Sequence, residues 1–335
     1  MKTITGVLML SALVVPSRPA TAQSNLTYQI ERIVDYSLTI AADALGDLVD
    51  DRADRDRDDR QDRSRGPGGR GDRGPEFTDI VTKTVRLGRN GRLELDNLSG
   101  DVDVTGGGGD DVKITATKRV HAPNESAGRG ALNAIEIQVA DRAGVVSISA
   151  GPTRGRFSSG EIDYVISVPS GTSLSLKTVS GDVSVKNITG DLVVNSFSGD
   201  VTVGDSKPRA IEIELVSGDV SLEKVDSERV HVKSLSGDIT LTGKLAKTGR
   251  YDLSTHSGDI QIIPEGNPGF DVEAATFSGD VSSDFALRLG GSLNNSLRSN
   301  GKGPQRNGEV RGSVNDGGAQ LSLHSFSGDI LITKR

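Results

Sequence analysis

Ser-Gly-Asp, each time followed by Val or Ile, begins at Ser180, Ser198, Ser217, Ser236, Ser257 and Ser278, with outlying copies at Ser99 and Ser327. The aspartates of the inner six, Asp182, Asp200, Asp219, Asp238, Asp259 and Asp280, are 18 to 21 residues apart. A repeat of that length marks a stacked-coil array, in which no unit can bury its apolar face alone.

The flanks of each copy show how such a coil is built. Before the serine, apolar residues alternate with polar ones, as in Leu174 and Leu176, Ile211 and Ile213, or Tyr251 and Leu253. After the aspartate the alternation resumes with Val183 and Val185, Val220 and Leu222, and Ile260 and Ile262. Both stretches have strand periodicity. Counted from the serine, however, the apolar set is even before the motif and odd after it. A straight strand cannot change parity without turning every side chain over, so the motif is a corner. Glycine supplies the backbone conformation that other residues avoid, and Ser or Asp can bond to nearby backbone groups. The residues just before the serine, Val179, Phe197, Val216, Leu235 and Phe277, are expected to stack coil on coil, with His256 breaking the file. Thr189-Gly190-Asp191 lies midway between two copies and predicts a second corner on the opposite edge.

The array is therefore an all-β solenoid, a single-stack, right-handed β-helix. With 34% apolar residues, 3% aromatic residues and 42 glycines, the chain suits a narrow spine of Val, Ile and Leu. A net charge of −7 argues against a nucleic-acid partner, whose phosphates require a basic face. There is no cysteine, which excludes disulfides, thiol nucleophiles and a lipid-modified Cys.

Five segments follow along the chain. Residues 1–22 read as a secretory signal, with Lys2, an apolar run from Ile4 to Val15 and the small-residue site Ala20-Thr21-Ala22. That run is too short to span a bilayer comfortably, and no later stretch looks transmembrane. The expected location is extracytoplasmic, either periplasmic or secreted to the cell surface of a bacterium. Residues 23–49 form an amphipathic helix with Ile30, Ile33, Val34, Leu38 and Leu45 on one face, and the 26–49 stretch offers a route to self-association. Residues 50–76, rich in Asp, Arg and Gly, have nothing to bury and predict a disordered linker. Its Arg70-Gly71-Asp72 is an integrin-type tripeptide arising by composition alone. Residues 77–170 hold longer, irregular strands, either the wide capping end of the array or a fused β-sandwich. There Asn90-Gly91 predicts a hairpin turn, and the polar stretch from His121 to Gly130 predicts a loop. Residues 171–335 are the regular coils, with a loop insertion near 296–318. The final coil around Ser327 is expected to cap the array or leave an open edge.

Laid out this way, the chain resembles the putative-adhesin family of bacterial β-strand repeat proteins, from about Ile80 to the C-terminus. The resemblance rests on Tyr164-Val-Ile-Ser-Val-Pro-Ser-Gly, on Leu174-Ser-Leu-Lys-Thr-Val-Ser-Gly-Asp-Val-Ser-Val and on Gly318-Ala-Gln-Leu-Ser-Leu-His-Ser-Phe-Ser-Gly-Asp-Ile. It implies an extracytoplasmic β-solenoid with a surface or adhesion role, and it supplies no catalytic residues.

The stacked aspartates admit two readings. Carboxylates at the strand spacing of ~4.8 Å repel by roughly 1 kcal/mol in water and by several times more when dry, so they must face solvent. Either they bond to corner N–H groups, or adjacent corners hold calcium between Asp182, Asp200, Asp219, Asp238, Asp259 and Asp280. His121, His231, His256 and His324 have no metal-ligand spacing, and no serine sits in a nucleophile elbow. Gly106 to Gly109 lacks the following Lys-Ser or Lys-Thr of a phosphate cradle. The expectation is a non-enzymatic, adhesin-like scaffold that binds an envelope or surface protein or glycan. The alternatives are a polysaccharide-acting β-helix enzyme and an envelope-stress or assembly accessory.

Overall fold

In the computed structural model, residues 74–152, 160–288 and 308–334 are described. The signal segment, the 23–49 helix, nearly all of the 50–76 linker and the 296–307 part of the expected loop lie outside them. Among the described residues no helix is long and apolar enough to cross a membrane.

The parity argument holds at each corner. Leu174, Leu176, Val183 and Val185 are all buried, as are Ile211, Ile213, Val220 and Leu222. Among the described residues, twenty strands carry this pattern and one helix accompanies them. The first seven strands are β1 (Glu76–Arg86), β2 (Arg92–Ser99), β3 (Val102–Gly107), β4 (Asp111–His121), β5 (Ile135–Arg142), β6 (Val145–Pro152) and β7 (Gly160–Pro169). Helix α1 (Glu125–Ala134) lies between β4 and β5. The regular region comprises β8 (Ser173–Ser180), β9 (Val183–Lys186), β10 (Leu192–Ser198), β11 (Val201–Gly204), β12 (Ala210–Ser217), β13 (Val220–Ser236), β14 (Ile239–Ser257) and β15 (Ile260–Pro264). The last strands are β16 (Phe270–Ser278), β17 (Val281–Ser283), β18 (Gly308–Val314), β19 (Ala319–Ser327) and β20 (Ile330–Ile332).

All of these strands belong to one sheet that turns at the corners and wraps an aliphatic spine as two faces. In the regular region neighbouring rungs pair in parallel and in phase: Leu174 with Leu192, Leu192 with Ile211, and Ile211 with Val230. The second corner is present too. Asn187, Asp205 and Lys224 take left-handed backbone conformations, with φ of 59°, 47° and 52°.

The irregular strands continue the same array. Rung order follows sequence order only in the middle. At the start, β2 and β3 form a rung, but the chain then places β4 one position too far out, and β7 returns to fill the gap between β3 and β4. At the other end, β16 and β17 are laid down with a gap beside β14 and β15, which β19 and β20 later fill. The final coil therefore neither caps the array nor forms its edge. It is an inner rung, bonded on both sides, and among the described residues the outer strands are β17 and β18, the latter antiparallel to β16. Lys334, which follows this rung, donates its backbone N–H to Asp284 Oδ2 at 3.1 Å and lays its ammonium over the Phe285 ring.

Two local expectations are corrected. Asn90-Gly91 closes no hairpin, because β1 pairs with β4 on one face while β2 pairs with β6 and β8 on the other. The crossing is fixed at its start by Leu87 and Gly88, whose N–H groups both donate to the Asp110 carbonyl. The stretch after His121 is helical rather than looped. Asn124 Oδ1 caps it by accepting the Ala127 N–H at 2.9 Å, and Arg129 pairs with Glu125 one turn away. Phe77 packs on Gly128, and the buried Lys118 donates to the Leu132 carbonyl at 3.2 Å and pairs with Asp79 at 2.6 Å. The helix thus closes one end of the spine.

Candidate functional site: the Ser-Gly-Asp corner

Each corner glycine has φ between +111° and +152°, outside the range of ordinary L residues. Space makes the same demand, since a Cβ on Gly218 would overlap the Gly199 carbonyl oxygen, and one on Gly199 would overlap that of Gly181. Ladder bonds continue through the bend. Gly199 N–H donates to Ser217 O and Val201 N–H to Asp219 O, and the same pair recurs on the neighbouring rungs. The aspartate N–H points the opposite way, and the carboxylate of the preceding rung receives it.

The outcome is one continuous ladder. Asp101 N–H donates to Asp163 Oδ1, Asp182 to Asp101, Asp200 to Asp182, Asp219 to Asp200, Asp238 to Asp219, and Asp259 to Asp238, at 2.8–3.1 Å. Asp329 then donates to Asp259, and Asp280 to Asp329. The six predicted aspartates are therefore brought together, with Asp329 inserted between Asp259 and Asp280 by the gap-filling rung. Asp163 lies outside any Ser-Gly-Asp copy, so the repeat gave no sign of it. It starts the ladder and also pairs with Arg119. Along the ladder, from Asp163 to Asp329, each Oδ1 accepts an N–H, which is the first of the two readings. Among the described residues no group of three or more His, Asp or Glu side chains converges to hold a metal.

Just inside the corner runs a file of buried hydroxyls, three residues before each glycine. Thr255, Thr276 and Ser325 donate to the carbonyls of Gly237, Gly328 and Gly258 at 3.1, 2.8 and 3.1 Å. Asn97 does the equivalent within its own rung, from Nδ2 to Gly100 O at 2.7 Å. Ser234 shares the position, but its Oγ has no partner. Sequence reasoning missed this file, although its signal was regular: Asn97, Thr178, Ser196, Ser234, Thr255, Thr276 and Ser325, with Leu215 the exception.

Just outside the corner, the residues before each serine form a ridge. In spatial order it is Leu98, Val179, Phe197, Val216, Leu235, His256, Phe326 and Phe277, half-buried except at its ends, where Leu98 is 56% and Phe277 53% exposed. Seven rung spacings give it a length of about 34 Å. His256 does not break the file. Its ring stacks on Phe326 at 4.7 Å and 12°, and Phe326 stacks on Phe277 at 4.8 Å and 6°. A flat imidazole can take the place of a phenyl ring in such a stack, which a hydrophobicity count overlooks.

On the face beside the ridge, His231 Nδ1 lies 3.4 Å from Asp252 Oδ2, and Ser322 Oγ lies 3.1 Å from His324 Nε2. Burial works to raise the Asp252 carboxyl. The hydrogen bond from His231, together with the nearby His231, His324 and Lys233, outweighs it and holds the carboxyl below its ordinary value. Ser, His and Asp occur together here, but Asp252 is bonded to His231, and His324 Nδ1 has no partner. The serine–base–orienter chain of a hydrolase is therefore not completed. At the far end, Val272, Val281, Phe285, Leu287, Val310 and Ile332 line a cavity of about 370 Å³, where the spine runs out.

The Toastrack DUF4097 family matches residues 154–333, more than half of the chain. The chain belongs to the Toastrack family. The likeness seen in the Ser-Gly-Asp motifs thus holds over the regular coils of this Toastrack chain. Among solved structures, a putative cell adhesion protein from Clostridium sporogenes is 11% identical, covering 77% of this chain and 100% of its own, with a TM-score of 0.37. A putative adhesin from Bacteroides fragilis is 13% identical over 77% and 97%, with a TM-score of 0.39. One from Parabacteroides distasonis is 11% identical over 77% and 97%, with a TM-score of 0.31. No curated protein matches the chain.

Proposed function

We propose that this Toastrack protein is an extracytoplasmic, non-enzymatic scaffold that binds a surface or envelope partner along its corner ridge. The observation that carries this reading is the ridge itself, a row of apolar and aromatic side chains left at the surface where each rung could have placed a polar residue. Contiguous exposed apolar strips rimmed by polar groups mark interaction sites, and aromatic side chains dominate such contacts. The carboxylate ladder beside it adds a fixed row of negative charge, which favours partners with basic or hydroxyl-rich surfaces. Repetition serves weak contacts well, because a partner that spans several rungs sums them. The secretory reading of residues 1–22 and right-handed winding belong to the same proposal.

The test compares the full chain with a Leu98→Ser/Phe277→Ser/Phe326→Ser variant in binding to isolated cell envelopes and to arrayed surface glycans. The scaffold reading expects binding by the parent chain to fall at least tenfold in the variant, with unchanged far-ultraviolet circular dichroism. Equal binding by both, or release of reducing or unsaturated ends from an acidic glycan, would overturn it.

A further inference from the structure

Strand β1 ends the array at its N-terminal side, and its eleven residues, Glu-Phe-Thr-Asp-Ile-Val-Thr-Lys-Thr-Val-Arg, pair only with β4 among the described residues. The flanking bonds show which way its polar backbone points. Ala122 N–H donates to Pro75 O and Leu87 N–H to Asp110 O. In an antiparallel ladder such bonds recur at alternate residues, so the odd-numbered positions of β1 face β4. The N–H and C=O groups of Glu76, Thr78, Ile80, Thr82, Thr84 and Arg86 face away from it. This edge lacks proline and bulge, is unusually long, and carries Ile80 at 64% exposure. Those are the features by which an edge strand recruits another strand.

We propose that β1 pairs antiparallel with β1 of a second copy, on a twofold axis through Val81. The sequence of the strand is self-complementary about that residue. Glu76 then opposes Arg86 of the second copy, Phe77 opposes Val85, Thr78 opposes Thr84, Asp79 opposes Lys83, Ile80 opposes Thr82, and Val81 meets itself. Opposite charges, β-branched pairs and an aromatic–Val pair are the combinations that stabilise neighbouring strands. Even residues fall opposite even residues, so the outward-facing N–H and C=O groups meet each other. Moving the axis to Ile80 sets Phe77 against Lys83, and moving it to Thr82 sets Asp79 against Val85. Either shift also loses the Glu76–Arg86 match. Phe77, Val81 and Val85 are only partly buried at the end of the spine, and the second copy would cover them. Asp79 and Lys83 already have contacts within the chain, to Lys118 and the Ile137 carbonyl, so no unpaired charge is buried.

The test uses the full chain. Without native cysteines, a single Val81→Cys substitution reports directly on the axis. Across a non-hydrogen-bonded antiparallel pair the Cα atoms are about 4.5 Å apart, within the range a disulfide bridges. Mild oxidation is expected to convert most of V81C to a disulfide dimer and to leave I80C, whose counterpart is Thr82, largely monomeric. In sedimentation equilibrium, Glu76→Arg and Arg86→Glu are each expected to weaken the dimer about tenfold or more by placing like charges opposite. An equimolar mixture of the two is expected to restore it. A parent chain that stays monomeric at every concentration, cross-linking of V81C no greater than that of I80C, or failure of the mixture to recover the dimer would overturn the proposal. The charge variants lie on the exposed row and keep the test decisive should V81C fold poorly.

Discussion

Gly218→Ala measures directly how much the stack depends on its corners. At φ +131° an alanine enters a region populated almost only by glycine, which costs about 1–3 kcal/mol. Its Cβ would also overlap the Gly199 carbonyl oxygen and lie 2.7 Å from the Gly199 carbonyl carbon and 3.1 Å from Asp200 Oδ1. These are parts of the neighbouring rung's backbone and ladder, which cannot rotate away as a side chain would. Separating the rungs adds the cost of overpacking, about 1–3 kcal/mol. A loss of about 4 kcal/mol is expected, read as a lower urea midpoint and a Tm lowered by roughly 8–16 °C. Hydrogen exchange should locate the damage, with the Gly199 and Val201 amides, bonded to Ser217 O and Asp219 O, losing protection first. Gly108→Ala is the control, since nothing lies within 4 Å of its added Cβ, and it should stay within about 0.5 kcal/mol of the parent. A loss below about 1 kcal/mol for Gly218→Ala, or one equal to the control, would refute the account of the corner.

The hydroxyl file predicts a contrast at one repeat position. Ser325→Ala leaves the Gly258 carbonyl without its 3.1 Å donor and should cost about 1–2 kcal/mol in urea unfolding, whereas Ser234→Ala removes an unpartnered Oγ and should cost nothing measurable. The lowered Asp252 carboxyl contributes stability above its ordinary unfolded value of about 3.9 and loses it as pH falls through the lower folded value. Asp252→Asn should therefore destabilise at neutral pH and converge with the parent in acid. With the carboxylate half exposed and screened, the difference should stay under about 1 kcal/mol. Calcium titration should give neither heat nor a rise in Tm. A calcium ion needs six to eight oxygens, and along the ladder one oxygen of each carboxylate from Asp163 to Asp329 already holds an N–H.

The regular rungs were legible because their signal is local. Alternation fixes which side chains point inward, a parity change fixes the bend, and an in-phase repeat fixes the neighbours, so Leu176, Val183 and their counterparts fell into place. Asp163 and the spatial position of Asp329 were not legible, because each depends on which rung fills a gap, and no local pattern encodes that. The Asn90-Gly91 step looked like a hairpin because a dipeptide reports turn preference but not which face the next strand joins. Helix α1 was hidden by its glycines, which lower helix propensity. Its stability comes from the Asn124 cap and from packing on Phe77, neither of which is a periodic signal. His256 was misjudged because ring stacking depends on shape as well as polarity.

The two late-filled rungs change what shortening this chain would do. In an ordinary solenoid, removing the last coil trims one end and leaves the remainder intact. Here β19 and β20 act as a wedge between β14–β15 and β16–β17, so removing residues 319–335 would detach a block laid down earlier and expose two unpaired strand edges in the interior. The same holds for β7 near the other terminus. Inside β1, each end is locked by chain that arrives after its neighbours, so fraying that begins at that edge strand cannot simply proceed inward.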